Sequence, residues 1–370
     1  MNPTKLRSLF PALERVVYLN TPTASPGARP VLDALRRVES EWERGEFSWQ
    51  AWEAEADATR ELFAGLVGGR AEHVSLVSSV AEAAATVAAS LSPGRVVVGA
   101  REFQSNLFPW LALRGRGFDV VEVPADQDGV VRTDALLGAI DDRTVLVAVT
   151  EVQSSNGFRV RIEDLGRRCR EVGAPLFVDL AQSLGALRFD VDQAGADFVA
   201  SHGYKWLLAP RGAAWLWVRP ELLGRIQPLA PSWKTVADPY GDYYGGPMDL
   251  PDNGRRLDAT LAWFSWPGAR AALDLVTSLD AEEVESRCLG LAGAFRQEAA
   301  ARGFTLVPQE MPSQTVAFRL PDPVGVRERL RERRVIGSVR EGSLRLGFHA
   351  YNDETDVDTA LEALGNMPDG

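Results

Sequence analysis

From about residue 55 the chain repeats one local theme: a helical run, a turn, then an apolar or β-branched run too short to be a helix. Residues 55–68 (EADATRELFAGLVG) carry helical periodicity that Gly68 and Gly69 end, and residues 73–77 follow as a strand. Residues 81–91 form an alanine-rich helix stopped at Pro93-Gly94. Further short runs lie at 96–98, 120–123, 145–150 and 175–180, with two more at 198–201 and 213–218. Strands that are apolar along their whole length are buried on both faces. The alternation therefore predicts an α/β fold with a mostly parallel sheet covered by helices on both sides.

The pattern breaks at 228–256, PLAPSWKTVADPYGDYYGGPMDLPDNGRR, which reads as a long irregular connection. A helical stretch over 267–302, a strand at 314–320, a helix at 323–333, a strand at 344–348 and a helix at 354–364 follow. These predict a smaller α+β domain of residues 249–370, with 1–16 packed on it, beside a large domain of 17–248. A chain of 370 residues suits two such lobes.

The net charge of −11 disfavours nucleic acid and anionic membranes as partners. No apolar run is long enough to span a bilayer, and residues 1–13 lack the apolar core of a secretory signal. The two cysteines, Cys169 and Cys288, lie far apart in helical stretches, so a reducing cytoplasm is expected, with neither disulfide nor metal site.

Three segments carry candidate chemistry. In FVDLAQSLGAL (177–187) an apolar run ends at Asp179, where ligands of open α/β sheets bind; taken alone, Asp179 reads equally as a helix cap. In ASHGYKWLLAPRGAAWLWV (200–218) Lys205 lies between apolar runs, where an amine must snorkel, pair or lose its proton. A neutral amine is what Schiff-base chemistry requires, although a surface loop lysine is the commoner case. In VSSVAEAAATVAASL (77–91) Ser78 and Ser79 precede a helix, as in an anion site or an ordinary cap. No glycine-rich phosphate loop is present, which counts against a nicotinamide enzyme.

Together these segments resemble the class V aminotransferase family, the fold-type I pyridoxal-phosphate enzymes that include cysteine desulfurases, kynureninase and isopenicillin N epimerase-like proteins. The most specific parts are Val-Asp-x-Ala-Gln at 178–182 and Tyr-Lys-Trp-Leu-x-x-Pro-x-Gly at 204–212. The resemblance implies a seven-stranded sheet, pyridoxal 5'-phosphate as cofactor, an amino-acid substrate and a homodimer with active sites at the subunit interface. It implies that Lys205 carries the Schiff base and Asp179 pairs with the pyridine nitrogen. Gln182 would bond the ring hydroxyl, and Phe103, in REFQSNLFPW, would stack on the ring. Ser79, Val80, Ala81, His202 and Tyr204 would form the phosphate cup, with Thr260 donated to the partner subunit's phosphate. Ser154 and Gln153, in EVQSSNGFRV, would line the pocket, with substrate contacts from Asn106, Gln153 and Arg345, the last clamping a carboxylate.

Desulfurases use a cysteine in the loop before the carboxylate-binding strand. Here that loop, RRVIGSVREGS (333–343), holds none. The resemblance then implies a lyase, with C–S cleavage of a cysteine-derived substrate first, and transamination or epimerisation as alternatives. A non-catalytic scaffold would have lost the Lys205–Asp179 pair. Ten tryptophans, Trp49, Trp52, Trp110 and Trp233 among them, suit an apolar pocket for a bulky side chain as well as plain core.

Overall fold

The computed structural model describes residues 3–320, 322–340 and 342–365. After a two-residue strand β1 (Val17–Tyr18), the apolar runs become β2 (Val74–Val77), β3 (Arg95–Gly99), β4 (Asp119–Val123), β5 (Thr144–Thr150), β6 (Leu176–Asp179), β7 (Phe198–His202) and β8 (Ala214–Val218). These seven join in the order β2-β8-β7-β6-β5-β3-β4. The contacts from β4 through β7 are all parallel, and β8 runs antiparallel to β7 and β2. Every residue of β6, β7 and β8 is buried, as strands covered on both faces require.

The strand order fixes where a ligand fits. After β3 the chain moves outward to β4, whereas after β5 it moves the other way to β6. The carboxyl ends of β3 and β5 therefore open a crevice at the switch point. Glu102 and Phe103 follow β3, Thr150 ends β5, and Asp179 ends β6 beside it, paired in register with Thr150.

The remaining strands, β9 (Thr315–Arg319), β10 (Val335–Ile336), β11 (Ser338–Arg340) and β12 (Ser343–Gly347), pair away from that sheet. β10 pairs with β1, and an antiparallel sheet runs β11-β12-β9. Arg7 ties the N-terminus to the last helix, Glu354–Leu364, through Asp356 at 2.7 Å. The helix expected from residue 55 begins earlier, as Trp49–Val67, because the Ser48 hydroxyl caps it; Gly68, at φ 70°, ends it as expected. The stretch 267–302 is two helices, Trp266–Thr277 and Ala281–Ala301. Asp280 starts the second by accepting the amides of Glu282 and Glu283 at 3.0 and 2.9 Å. The irregular segment after β8 is anchored by Lys234, which is buried and ion-paired to buried Glu53 on helix Trp49–Val67. Asp57 lies 3.5 Å from the same amine.

Candidate active site

Lys205 is 5% exposed, in a tight turn between β7 and β8. The turn is held by Leu208 N–H to Lys205 C=O at 3.2 Å and Ala209 N–H to Gly203 C=O at 2.9 Å. Leu208 takes a left-handed φ of 61°, a conformation a branched side chain adopts only where its surroundings impose it. Gly185 faces the turn at φ 100°, and a Cβ there would lie 2.4 Å from the Trp206 carbonyl oxygen. Burial lowers the Lys205 amine to about 8, against a smaller opposing pull from Asp179; Arg345 and Arg211 lower it further. Burial raises Asp179 to about 6, although the Ala181 N–H at 2.8 Å and Lys205 favour its ionised form. Amine and carboxyl thus titrate on either side of neutrality.

Phe103 presents its ring 5.4 Å from Lys205 Nζ, and Tyr204 presents its own at 5.5 Å. Phe103 is 48% exposed, so it is not plain core but a ring projecting over the crevice. Beside it sits Glu102, which the sequence reading passed over. Its carboxyl accepts the Thr150 amide at 2.8 Å, the Thr150 hydroxyl, and Asn106 Nδ2 at 3.2 Å. Burial raises it to about 7; the Thr150 bonds oppose this and the charge of Asp179 adds to it. An acidic residue directly after a buried strand at the switch point was the available signal.

The N-terminus of helix Val80–Ala89 is where an anion is expected. Ser79 caps it, its hydroxyl accepting the Glu82 amide at 3.1 Å, and the Val80 and Ala81 amides meet no acceptor among the described residues. Glu82 folds back onto the Ser78 amide at 2.8 Å. His202 is buried with its ring 5.0 Å from that of Tyr204, and burial lowers it to about 3, so it is neutral. Thr260 is exposed, next to Ala259, whose amide bonds the Leu76 carbonyl at 2.8 Å.

At the other end Arg345 donates to the Ser154 carbonyl, to Ser154 Oγ at 3.2 Å and to Thr23 Oγ1 at 2.9 Å. It lines a cavity of about 600 Å³ shared by Glu102, Phe103, Ser154 and Arg319. No tryptophan lines it; Phe103, Leu107, Phe108 and Val307 supply its apolar wall, beside arginines and hydroxyls. Trp52, Trp110, Trp206, Trp215 and Trp266 are instead fully buried core.

Three of the expected contact residues, Gln153, Asn106 and Gln182, spend their polar atoms within the protein. Gln153 does not face the pocket: its amide bonds the Val131 carbonyl at 2.6 Å and the Val131 amide at 3.2 Å, pinning one loop to another. Asn106 is fully buried, engaged with Glu102 and with Trp110 Nε1 at 3.2 Å, so it braces Glu102 rather than meeting substrate. Gln182 donates to the Pro22 carbonyl at 2.9 Å and to Ser154 Oγ at 3.0 Å, while its oxygen accepts Trp206 Nε1 at 3.2 Å. Both its donors are therefore taken, and it positions Ser154 and Trp206. His349 stacks between Trp206 and Tyr351 and bonds the Trp206 carbonyl at 3.0 Å, a structural part.

A buried amine of lowered pKa, a buried carboxylate at the neighbouring strand end, an overhanging ring and a helix N-terminus with open amides fit a flat, phosphorylated aldehyde cofactor with a basic ring nitrogen. Fold and site define a pyridoxal-phosphate enzyme. The family described as aminotransferase class-V matches residues 17–360. Kynureninase of Pseudomonas fluorescens is 31% identical, with 98% of this chain and 92% of that protein aligned. A probable cysteine desulfurase of Methanothermobacter thermautotrophicus is 34% identical over 66% of this chain and 63% of its own length. The cystine C-S lyase C-DES, solved with its product cysteine persulfide, superposes with a TM-score of 0.84 at 22% identity, over 96% of this chain and 98% of that one. The chain belongs to the class-V aminotransferase family.

Proposed function

We propose that the protein is a lyase that breaks a C–S bond in a cysteine-derived amino acid. The observation that carries the proposal is the buried Lys205 amine 5.4 Å from the Phe103 ring, with Phe103 and Arg345 lining one cavity. Pyridoxal phosphate, when bound, supplies an electron sink for bond breaking at the substrate α-carbon. Lys205 would bind the cofactor aldehyde and, once freed by the substrate, would take the α-proton and pass a proton to the departing sulfur. Asp179 would hold a proton on the ring nitrogen, and Phe103 would cover one ring face. The amides of Val80 and Ala81, with His202 and Tyr204, would hold the phosphate, and Arg345 would orient the substrate carboxylate.

Elimination rather than persulfide transfer is favoured because Cys169 and Cys288 are both buried, burial pushing Cys169 up to about 12 and Cys288 higher still. We further propose a cytoplasmic homodimer, with residues 17–248 forming the cofactor-binding domain and residues 1–16 and 249–370 the smaller one. Exposed Thr260 and the exposed aromatics Trp42, Phe264 and Tyr243 support pairing of two copies. Among the described residues no helix is long and apolar enough to cross a membrane.

The test is to incubate cofactor-loaded protein with L-cystine, L-cysteine and S-alkyl cysteines. Sulfide from cysteine, cysteine persulfide from cystine and the alkyl thiol from S-alkyl cysteines are expected, each with stoichiometric pyruvate and ammonia, and none from Lys205→Ala. A 2-oxo acid formed only with an amino acceptor, or racemised amino acid without sulfur release, would replace the lyase assignment with the transaminase or epimerase one.

A further inference from the structure

We infer that the pocket beyond Arg345 takes a substrate whose side chain ends in an anionic group, and that Arg319 holds that group; this rests on the reading in which Arg345 takes the α-carboxylate. The register of the small sheet places Arg345 opposite Ala317 and Arg319 opposite Ser343. Residues two apart on a strand share a face, so Ala317, Arg319, Ser343 and Arg345 project from one side, joined by Ser338 opposite Arg345 on β11. All five line the same cavity of about 600 Å³. Diagonal neighbours across a strand pair are about 7–8 Å apart, the span of an amino acid with a four- to six-atom side chain.

The charges around Arg319 are unbalanced. Among the described residues its guanidinium has no hydrogen bond, ion pair or ring contact, and Arg101, on the opposite wall, is in the same condition. The wall's two carboxyls do not serve them. Glu102 is turned toward Thr150 and Asn106, and Asp128 is paired with Arg132 at 3.0 Å. Arg345 is fixed by Ser154 and Thr23. By contrast Arg161, outside the site, meets Asp134, Asp164 and Glu310 within 2.7 Å. A chain of net charge −11 has carboxylates to spare, yet among the described residues none pairs with Arg319 or Arg101 on this open cavity. A second anion on the ligand would relieve that imbalance and offers the planar fork its matching partner. The hydroxyls of Ser338 and Ser343 line the same cavity and offer further donors.

The test compares two ligands that differ only in charge, S-(2-carboxyethyl)-L-cysteine and S-(2-carbamoylethyl)-L-cysteine. Each is titrated into cofactor-loaded protein, following the visible absorbance of the cofactor and, separately, the heat of binding. The acid is expected to bind at least about tenfold more tightly. Arg319→Gln should bring the two to parity while leaving the amide's affinity unchanged, and it should fold normally because the side chain is exposed and unpartnered. Equal affinities in the unmodified protein, or a preference that survives Arg319→Gln, would overturn the inference. Selective binding of the acid through Arg319 without sulfur release would sink the lyase assignment and leave this one standing.

Discussion

Asp179→Asn separates two effects that the buried pair combines. In the cofactor-free protein the amine at about 8, instead of its usual 10.5, is about one-tenth neutral at pH 7, against about 0.03% for an exposed lysine. That is a gain of about 300-fold in the reactive form, or about 3 kcal/mol. Burial produces it, and Asp179 is the group that opposes it. Asn keeps the shape and can still accept the Ala181 amide, now at 2.8 Å, while removing the charge. The amine should therefore titrate below 8, and capture of pyridoxal phosphate at pH 7 should speed up. The ceiling is about tenfold, since one-tenth of the amine is neutral already. Turnover should fall steeply at the same time, because Asp179 is the carboxylate proposed to keep a bound cofactor's ring nitrogen protonated. Stopped-flow absorbance of cofactor capture between pH 6 and 10, beside steady-state turnover, measures both. A capture midpoint that stays put or moves upward would show that Asp179 does not govern the amine, and the argument would fail.

Glu102→Gln should alter stability in a pH-dependent way. The folded carboxyl titrates near 7 rather than its usual 4.5, so the stability it contributes is present below 4.5 and is lost as pH rises through 7. Glutamine mimics the protonated form; the variant should melt near the parent at pH 5 and be more stable by about 1–3 kcal/mol at pH 8, whereas an offset equal at both pH values would refute the assignment. Lys234→Met should cost about 3–5 kcal/mol in chemical denaturation, because it strands Glu53, fully buried and bonded to Trp263 Nε1 at 2.7 Å. Adding Glu53→Gln should recover most of that loss, and a single-variant loss below about 1 kcal/mol would show that the pair does not anchor the long connection.

What the sequence made legible, and what it hid, follows from the range over which each feature is encoded. The central strands could be read because burial on both faces leaves an uninterrupted apolar run, and Asp179 and Lys205 stood out against such runs. β10 and β11 were invisible because each is two or three residues long, and β10 owes its existence to β1, more than three hundred residues away. Gln153 and Asn106 fall where the motif puts them, yet an amide's direction is decided by its nearest unpaired backbone or side-chain partner: Val131 in one case, Glu102 and Trp110 in the other. Glu102 was hidden because its role depends on Thr150, a neighbour only once β3 and β5 pair. The Lys205–Asp179 pair was the most readable part for the same cause. A lysine and an aspartate become an amine near 8 and a carboxyl near 6 only if both are desolvated. Desolvation at a strand end is produced by the apolar runs that flank them. The residues that build the core also desolvate this pair, so a reading of the core's pattern reaches Lys205 and Asp179 and stops short of the residues that act through a third partner.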